Sequence, residues 1–130
     1  MDISNEILAL KAWDLLNSSE NYVLIDVRTP SEWAELGSPK LEDHVFRISS
    51  HTAPLMTPNP DFIKELEEAI PDKSKNLIFM CRTNGRSKIA KSYAQEAGYK
   101  NCYLMVDGYA GSESGIGWLN SKLPYEIIIA

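Results

Sequence analysis

The sequence predicts an α/β domain of three layers, in which helices cover both faces of a central, mainly parallel β-sheet. Three short apolar runs lack polar alternation, as is typical of strands buried on both faces: residues 22–27, 76–80 and 102–106. Segments with helical spacing of apolar residues lie between these runs, and alternating strands and helices imply right-handed βαβ crossovers. The 130 residues suffice for one such domain, which we expect to span 1–130.

The first two helices are predicted from an apolar face and a capping sequence. Thr29-Pro30-Ser31-Glu32 spells a capping box with proline in the first turn, so a short helix should run from there to about Leu36. An opening helix precedes the first strand, and its apolar face comprises Ile7, Leu8, Ala12, Leu15 and Leu16.

Two later helices and two weaker strands complete the prediction. A helix with Asn59 as its N-cap should end before Pro71, and another from about Ser87 should be closed by Gly98 as its C′ residue. A weak strand is predicted over 44–49. The apolar tail at 127–130 has the composition of an edge strand or of a dimer contact.

The charge balance is acidic overall but uneven along the chain. Thirteen Lys and Arg residues stand against 18 Asp and Glu residues, for a net charge of −5, which argues against nucleic acid or anionic lipid as a general partner. The segment from Lys73 to Gln95 nevertheless contains six basic residues and no acidic one. This segment is predicted to face an anion.

Two cysteines do not make a disulfide framework, and a core of this size needs none. The N-terminal residues lack the pattern of a signal peptide, and no apolar run approaches the roughly 18 residues of a membrane span. We therefore expect a cytoplasmic protein with free thiols, no membrane association, and any cysteine chemistry catalytic or redox in kind.

The most informative stretch is Cys81-Arg82-Thr83-Asn84-Gly85-Arg86-Ser87, which follows a predicted buried strand and opens a helix. Ligands of parallel α/β sheets bind at the carboxyl ends of strands. Asn84 and Gly85 tolerate positive φ, which would turn successive backbone N–H groups inward to bind an anion beside the positive end of the helix. Nearby positive charge favours the thiolate, so Cys81 is the candidate nucleophile.

Four segments, in order along the chain, resemble the rhodanese family of sulfurtransferases. They are 24–33 (LIDVRTPSEW), 81–87 (CRTNGRS), 97–104 (AGYKNCYL), and 108–124 with its Gly117-Trp118 and Leu123-Pro124 pairs. The resemblance covers almost the whole chain and implies a rhodanese-like three-layer fold. A longer approach to Trp118 than the family often has, at residues 110–116, is expected to border the active site.

The resemblance implies a persulfide mechanism with no cofactor. Cys81 would take a sulfur atom from thiosulfate or a similar small anion and pass it to a thiol or a protein acceptor. Arg86 would support the anion and shape the loop. The backbone amides of residues 82–87 would bind the donor, which makes Arg82, Thr83, Asn84, Gly85 and Ser87 the substrate-binding candidates.

Two further residues have alternative interpretations. Asp26 ends the neighbouring strand and is either the partner of Arg86, supporting the loop, or a cap for its own loop. Arg28 either faces the substrate or braces the loop.

The second cysteine and the two histidines are not expected to take part in the reaction. Cys102 lies in a predicted buried strand, where packing is favoured over a role in resolving the persulfide. His44 and His51 lack the companions that a metal site needs.

Two other function classes share some of these features. Cysteine-dependent phosphatases and arsenate reductases also use a Cys-loop-Arg cradle, but usually with five residues between Cys and Arg, whereas this chain has the four residues Arg82 to Gly85. Rhodanese-like modules that only bind a partner often lack the cysteine, which is present here. Sulfur transfer is therefore the preferred hypothesis.

Overall fold

The computed structural model describes residues 5–82 and 85–129. Its main sheet has five parallel strands in the order β1-β8-β7-β2-β4. Two antiparallel pairs lie outside it, β3 with β9 and β5 with β6. The strands are β1 (Glu6–Ile7), β2 (Tyr22–Asp26), β3 (Ser38–Pro39), β4 (Val45–Arg47), β5 (His51–Thr52), β6 (Thr57–Pro58), β7 (Asn76–Met80), β8 (Asn101–Met105) and β9 (Tyr125–Glu126). The helices are α1 (Ala9–Ser18), α2 (Pro30–Leu36), α3 (Phe62–Ala69), α4 (Gly85–Glu96) and α5 (Gly117–Asn120).

Alternate residues of the central strands point into two separate cores, which confirms the predicted three layers. Leu77 and Phe79 of β7 pack with residues of α3 and α4. Ile78 and Met80 of the same strand pack with residues of α1 and α5 on the opposite face. Side chains alternate across a strand, so a strand covered by helices on both faces must be apolar throughout.

Local signals predicted most elements well. The three buried strands and the weak strand at β4 form close to their predicted bounds, and α2 begins after Thr29 and ends at Leu36 as expected. Gly98 follows α4 with φ +104, the left-handed conformation expected of a C′ glycine. Asp61 rather than Asn59 is the N-cap of α3, while the Asn59 side chain accepts the Asp61 N–H.

The opening helix was predicted to begin too early. Ile7 lies in β1 and pairs with Met105 of β8. Helix α1 begins at Ala9, whose N–H donates to both carboxylate oxygens of Asp107, at 3.0 and 3.2 Å. The start of α1 thus depends on a side chain distant in sequence, which helical periodicity does not reveal.

The strand near the C-terminus begins two residues earlier than the predicted range 127–130. Tyr125 and Glu126 pair with β3, whereas residues 127–129 lie outside any strand. The Ile128 N–H donates to the Trp33 carbonyl and holds this part of the tail against α2.

Candidate active site

Cys81 directly follows β7 at the carboxyl edge of the main sheet, as the sequence predicts. Its exposed fraction is only 1%. The Sγ atom lies 3.3 Å from the Ser87 Oγ in the first turns of α4, and either group can donate the hydrogen bond. The nucleophile candidate is therefore held between the end of a strand and the positive end of a 12-residue helix.

The backbone around Cys81 is fixed by hydrogen bonds to two other segments. The Met80 carbonyl accepts the Val27 N–H at 2.9 Å. The carbonyls of Cys81 and Arg82 accept the N–H groups of Tyr109 and Ala110, at 2.9 and 3.0 Å. The loop after β8 therefore contacts this segment through Tyr109 and Ala110, of which Ala110 belongs to the segment 110–116 that we expected at the site.

Arg86 forms a bidentate ion pair with Glu32, with N–O distances of 2.7 and 2.9 Å. The Glu32 carboxylate also accepts the N–H and the hydroxyl of Thr29, so it caps α2 and holds Arg86 at the same time. Burial alone would raise the pKa of Glu32, but Arg86 and Thr29 lower it to about 2. Glu32 thus stays ionised at any physiological pH.

The expectation that Asp26 pairs with Arg86 was wrong, because Asp26 is already fully engaged by Arg28. The Arg28 Nε and Nη2 donate to the two carboxylate oxygens at 2.9 and 2.8 Å. Asp26 also accepts the Ser38 hydroxyl and the Arg28 N–H, so its alternative role as a cap for its own loop is observed.

Arg28 is buried and connects three segments, which favours its bracing role over contact with substrate. Its exposed fraction is 0%. Besides Asp26, it donates to the Gly37 carbonyl at 2.7 Å, and its guanidinium carbon lies 3.9 Å from the centre of the Tyr109 ring. Strand β2, the end of α2 and the loop after β8 are thereby held to one another.

The loop candidates are only partly visible in the described residues. Arg82 and Gly85 are exposed, and Ser87 is buried beside Cys81. Thr83 and Asn84 lie outside the described residues. Gly85 is the first residue of α4 and lacks the positive φ that we expected for it. The helix therefore begins two residues earlier than predicted.

The basic segment divides into a part at the site and a part remote from it. Arg82 and Arg86 lie in residues 81–87, which we call the Cys81 loop, and Lys88 directly follows it. Lys73 instead pairs with Glu67 at 2.7 Å and donates to the Ala97 carbonyl. Lys75 donates to the Glu20 carbonyl, and Lys91 lies near Cys102, on whose pKa it acts. Only half of the predicted positive charge therefore surrounds the nucleophile.

Asp107 is a structural residue of the site that the sequence interpretation missed. It follows β8 as Asp26 ends β2, at the same edge of the sheet. Its carboxylate accepts the Ala9 N–H at the start of α1 and also the Gly117 N–H, the latter at 3.0 Å. Gly117 has φ +88, and a Cβ there would lie 2.4 Å from the Gly111 nitrogen. An aspartate directly after a predicted buried strand was the available signal.

Cys102 is fully buried, as expected, and burial raises the pKa of its thiol to about 11. Its thiol donates to the Tyr99 carbonyl at 3.5 Å, and both cysteines are free. A thiol that remains protonated in the core is a poor nucleophile, so Cys81 is the better candidate.

The histidines lie apart from any cluster of ligands in the part of the chain that is described. His44 Nδ1 is 2.9 Å from the Tyr22 carbonyl, and His51 Nδ1 is 2.8 Å from the Ser50 hydroxyl. No group of three His, Cys, Asp or Glu residues suited to a metal ion occurs among residues 5–82 and 85–129. Among the same residues, every helix is too short or too polar to span a membrane.

Known proteins resemble this chain in both sequence and fold. An uncharacterized protein of Rickettsia conorii is 37% identical over 97% of this chain and 99% of its own length. The thiosulfate:glutathione sulfurtransferase of Saccharomyces cerevisiae is 35% identical over 71% of this chain and 62% of its own length. The crystal structure of Rv0390 from M. tuberculosis is 33% identical, superposes with a TM-score of 0.82, and is matched over 95% of this chain and 97% of that one.

A match to a family sequence pattern identifies the family of this chain. Residues 9–114 fit the sequence pattern described as the rhodanese-like domain. This range contains both Cys81 and the Glu32–Arg86 pair. The chain belongs to the rhodanese-like family.

Proposed function

We propose that this protein is a sulfurtransferase that carries a sulfur atom as a persulfide on Cys81. The observation that supports the proposal most is the position of the thiol, 3.3 Å from the Ser87 hydroxyl at the start of α4. Amides and dipoles at a helix N-terminus stabilise both a thiolate and an anionic donor. The family name and the sulfurtransferase among the relatives agree with this chemistry.

The reaction has two balanced steps. The Cys81 thiolate attacks the outer sulfur of thiosulfate or a similar sulfane donor, the donor's S–S bond breaks, and sulfite leaves with that bond's electron pair. An acceptor nucleophile then attacks the outer sulfur of the Cys81 persulfide, and the Cys81 thiolate leaves. No redox cofactor is needed, because in each step the attacking nucleophile supplies the electron pair of the new bond and the leaving group keeps the pair of the broken bond.

Each neighbour of Cys81 has a distinct role in this proposal. The backbone N–H groups of residues 82–87 bind the donor's oxygens and then the persulfide, in the manner of an oxyanion hole. Arg86 is a positioning residue, because its charge is already paired with Glu32. The net positive charge that attracts the donor comes from Arg82 and Lys88, which are exposed and form no ion pair among the described residues.

The partners and the compartment follow from the same chemistry. A small sulfur-containing anion is the donor, and a thiol or a protein cysteine is the acceptor. Nucleic acid is disfavoured by the net charge of −5. Both cysteines are free, which suits the reducing cytoplasm, where we place the protein.

Mass spectrometry of the intact protein tests the first step. After incubation with thiosulfate and desalting, the wild-type protein should gain one sulfur atom, which cyanide should remove as thiocyanate. Cys81→Ser should gain none, whereas the matched control Cys102→Ser should behave as wild type. A wild-type protein that gains no sulfur from thiosulfate or from polysulfide would contradict the proposal.

An aryl phosphate assay tests the phosphatase alternative. Four residues rather than five separate Cys81 from Arg86, which makes a smaller cradle than a tetrahedral phosphate usually occupies. We expect no Cys81-dependent release of phosphate. Release that disappears in Cys81→Ser, without any sulfur loading of the wild type, would assign the site to phosphoryl transfer instead.

A further inference from the structure

A cleft lies between the first turn of α2 and the hairpin formed by β5 and β6. Its volume is about 510 Å³, within the range of small-molecule sites. We call it the side cleft. Its polar walls are formed by Thr29, Ser31, Ser49, His51, Thr52, Asn59 and Glu65.

The backbone connects the side cleft to the nucleophile along the carboxyl edge of the sheet. The Met80 carbonyl accepts the Val27 N–H, and the Val27 carbonyl accepts the Ser50 N–H at 3.1 Å. His51 is therefore about two strand spacings, or roughly 10 Å, from the end of β7. The Glu32–Arg86 pair is bonded to Thr29 at the rim of the cleft. A ligand in the cleft would thus lie next to the Cys81 loop.

His51 is the cleft residue best suited to move a proton. Its exposed fraction is 8%, and its Nδ1 is bonded to the Ser50 hydroxyl at 2.8 Å. Its Nε2 has no hydrogen-bond partner among the described residues. Burial, and next the positive charge of Arg86, lower the pKa of His51 below its ordinary value of 6.5. The ring is therefore neutral at pH 7, and with the proton on Nδ1 its Nε2 is a free base.

The charge of the side cleft differs from that of the Cys81 loop. Glu65 is the only wall residue with a formal charge at neutral pH, and its carboxylate is exposed. An anionic donor is drawn to the Cys81 loop by Arg82 and Lys88, whereas no residue that lines the side cleft is Lys or Arg, and the charge of nearby Arg86 is paired with Glu32. The cleft therefore suits a neutral or positively charged ligand.

We propose that the side cleft binds the small thiol that accepts sulfur from Cys81, and that His51 Nε2 takes the proton of this thiol. The inference rests on the proposed sulfurtransferase function. The thiol's S–H proton passes to Nε2, and the resulting thiolate attacks the outer persulfide sulfur. The bond between that sulfur and Cys81 Sγ breaks, and Cys81 leaves as a thiolate. The preferred acceptor is a neutral or cationic thiol.

Single-turnover discharge of the preformed Cys81 persulfide tests the role of His51. Cysteamine is the thiol probe. Sulfite is the control acceptor, because it is an anion that regenerates thiosulfate at the Cys81 loop and gives up no S–H proton. His51→Gln should slow discharge by cysteamine by about tenfold or more, as expected for the loss of a general base. Its sulfur loading and its discharge by sulfite should match wild type.

The matched control is His44→Gln, whose ring lies against the Tyr22 carbonyl outside the side cleft. It should discharge to both acceptors at the wild-type rate. Equal cysteamine rates in His51→Gln and wild type would overturn the proposal, and so would an equal loss with both acceptors. Failure of wild-type protein to load sulfur would instead contradict the sulfurtransferase proposal itself.

The pH dependence separates a proton acceptor from a merely structural residue. The charged groups around His51 are Glu32 on α2, Glu65 on α3 and Arg86 on α4. The defect of His51→Gln should shrink as the pH rises and cysteamine ionises without help. A defect of constant size at every pH would overturn the role of His51.

Glu65→Gln tests the cleft independently, should His51→Gln not fold. Wild type should discharge faster to cysteamine than to the anionic thiol 3-mercaptopropionate. Glu65→Gln should reduce that ratio about two- to threefold, as expected from the loss of one exposed charge. An unchanged ratio would overturn the placement of the thiol in the side cleft.

Discussion

Two arginine–carboxylate pairs lie at the same edge of the sheet, yet they are built for different purposes. In the inner pair, Arg28 and Asp26 are both fully buried. In the outer pair, the side chains of Arg86 and Glu32 are 19% and 22% exposed. Both pairs are bidentate, so geometry alone does not distinguish them.

The difference lies in what each pair connects. The inner pair joins β2 to the end of α2 and to Tyr109, all of them parts of the scaffold. The outer pair joins the cap of α2 to the first turn of α4, next to the nucleophile. The buried pair thus joins segments of the scaffold to one another, while the partly exposed pair joins the scaffold to the helix that follows Cys81.

The largest expected effect is on stability, from breaking the inner pair. Arg28→Ala should lower the free energy of unfolding by about 3–5 kcal/mol, because it leaves the Asp26 carboxylate buried without its cation. Urea denaturation measures this change. Arg28→Lys should recover only part of it, since an ammonium group does not reproduce the bidentate fork. A loss below about 1 kcal/mol for Arg28→Ala would contradict the bracing role.

Breaking the outer pair should affect turnover more than stability. Arg86→Ala should lower sulfur transfer about tenfold or more, equivalent to at least about 1.4 kcal/mol in the barrier, since the start of α4 is no longer held to Glu32. Rhodanese assays with thiosulfate and cyanide measure this loss. Lys91→Ala, a later residue of the same helix, is the control and should stay within about twofold of wild type, because its field is screened. Equal losses in the two variants would show that Arg86 acts only through its charge.

Protonation of Glu32 offers a smaller and reversible way to break the outer pair. The pKa of Glu32 is lowered from 4.5 to about 2 on folding, so its stabilising effect is complete above about pH 4.5 and is lost as the pH falls towards 2. Glu32→Gln keeps a capping side chain but not the charge. Wild type should exceed it in stability by about 1 kcal/mol at pH 7, with a difference that disappears near pH 2. A difference independent of pH would contradict the ion pair.

Salt should produce the smallest effect, and only at the outer site. Exposed Arg82 and Lys88 attract the donor through solvent, where 0.1 M salt reduces the screening length to about 10 Å. Sulfur loading at low thiosulfate should therefore slow by about two- to threefold between 0.02 and 0.5 M salt, roughly as expected for exposed charges. Lys88→Ala should reduce this dependence on salt. The buried Arg28–Asp26 pair should not contribute to it, because it is shielded from the salt solution. No dependence on salt would leave the backbone amides as the sole source of attraction.

Features fixed by neighbouring residues were predictable from the sequence. The buried strands, the capping box at Thr29 and the C′ glycine at Gly98 depend on local composition, and each forms close to its predicted place. The position of Cys81 at a strand end followed from the same local signals. The resemblance to the rhodanese family added the activity, which local signals alone do not specify.

Features fixed by distant residues were not predictable. Glu32 was recognised only as a capping residue, because nothing in the sequence shows that α4 would bring Arg86 to it. Of the two roles considered for Asp26, pairing with Arg86 was wrong for the same reason, because Glu32 from another segment of the chain already holds Arg86. The early strand at Ile7 likewise depends on β8, almost 100 residues further along the chain.

The loop from 107 to 117 reduces the attraction for cations at the carboxyl end of β7. The carbonyls of Cys81 and Arg82 each accept one amide hydrogen from this loop, from Tyr109 and Ala110. One of the two lone pairs of each carbonyl oxygen is thereby occupied. We therefore expect a change in the length of this loop to alter the ligand preference of the site without replacing any residue that contacts the ligand.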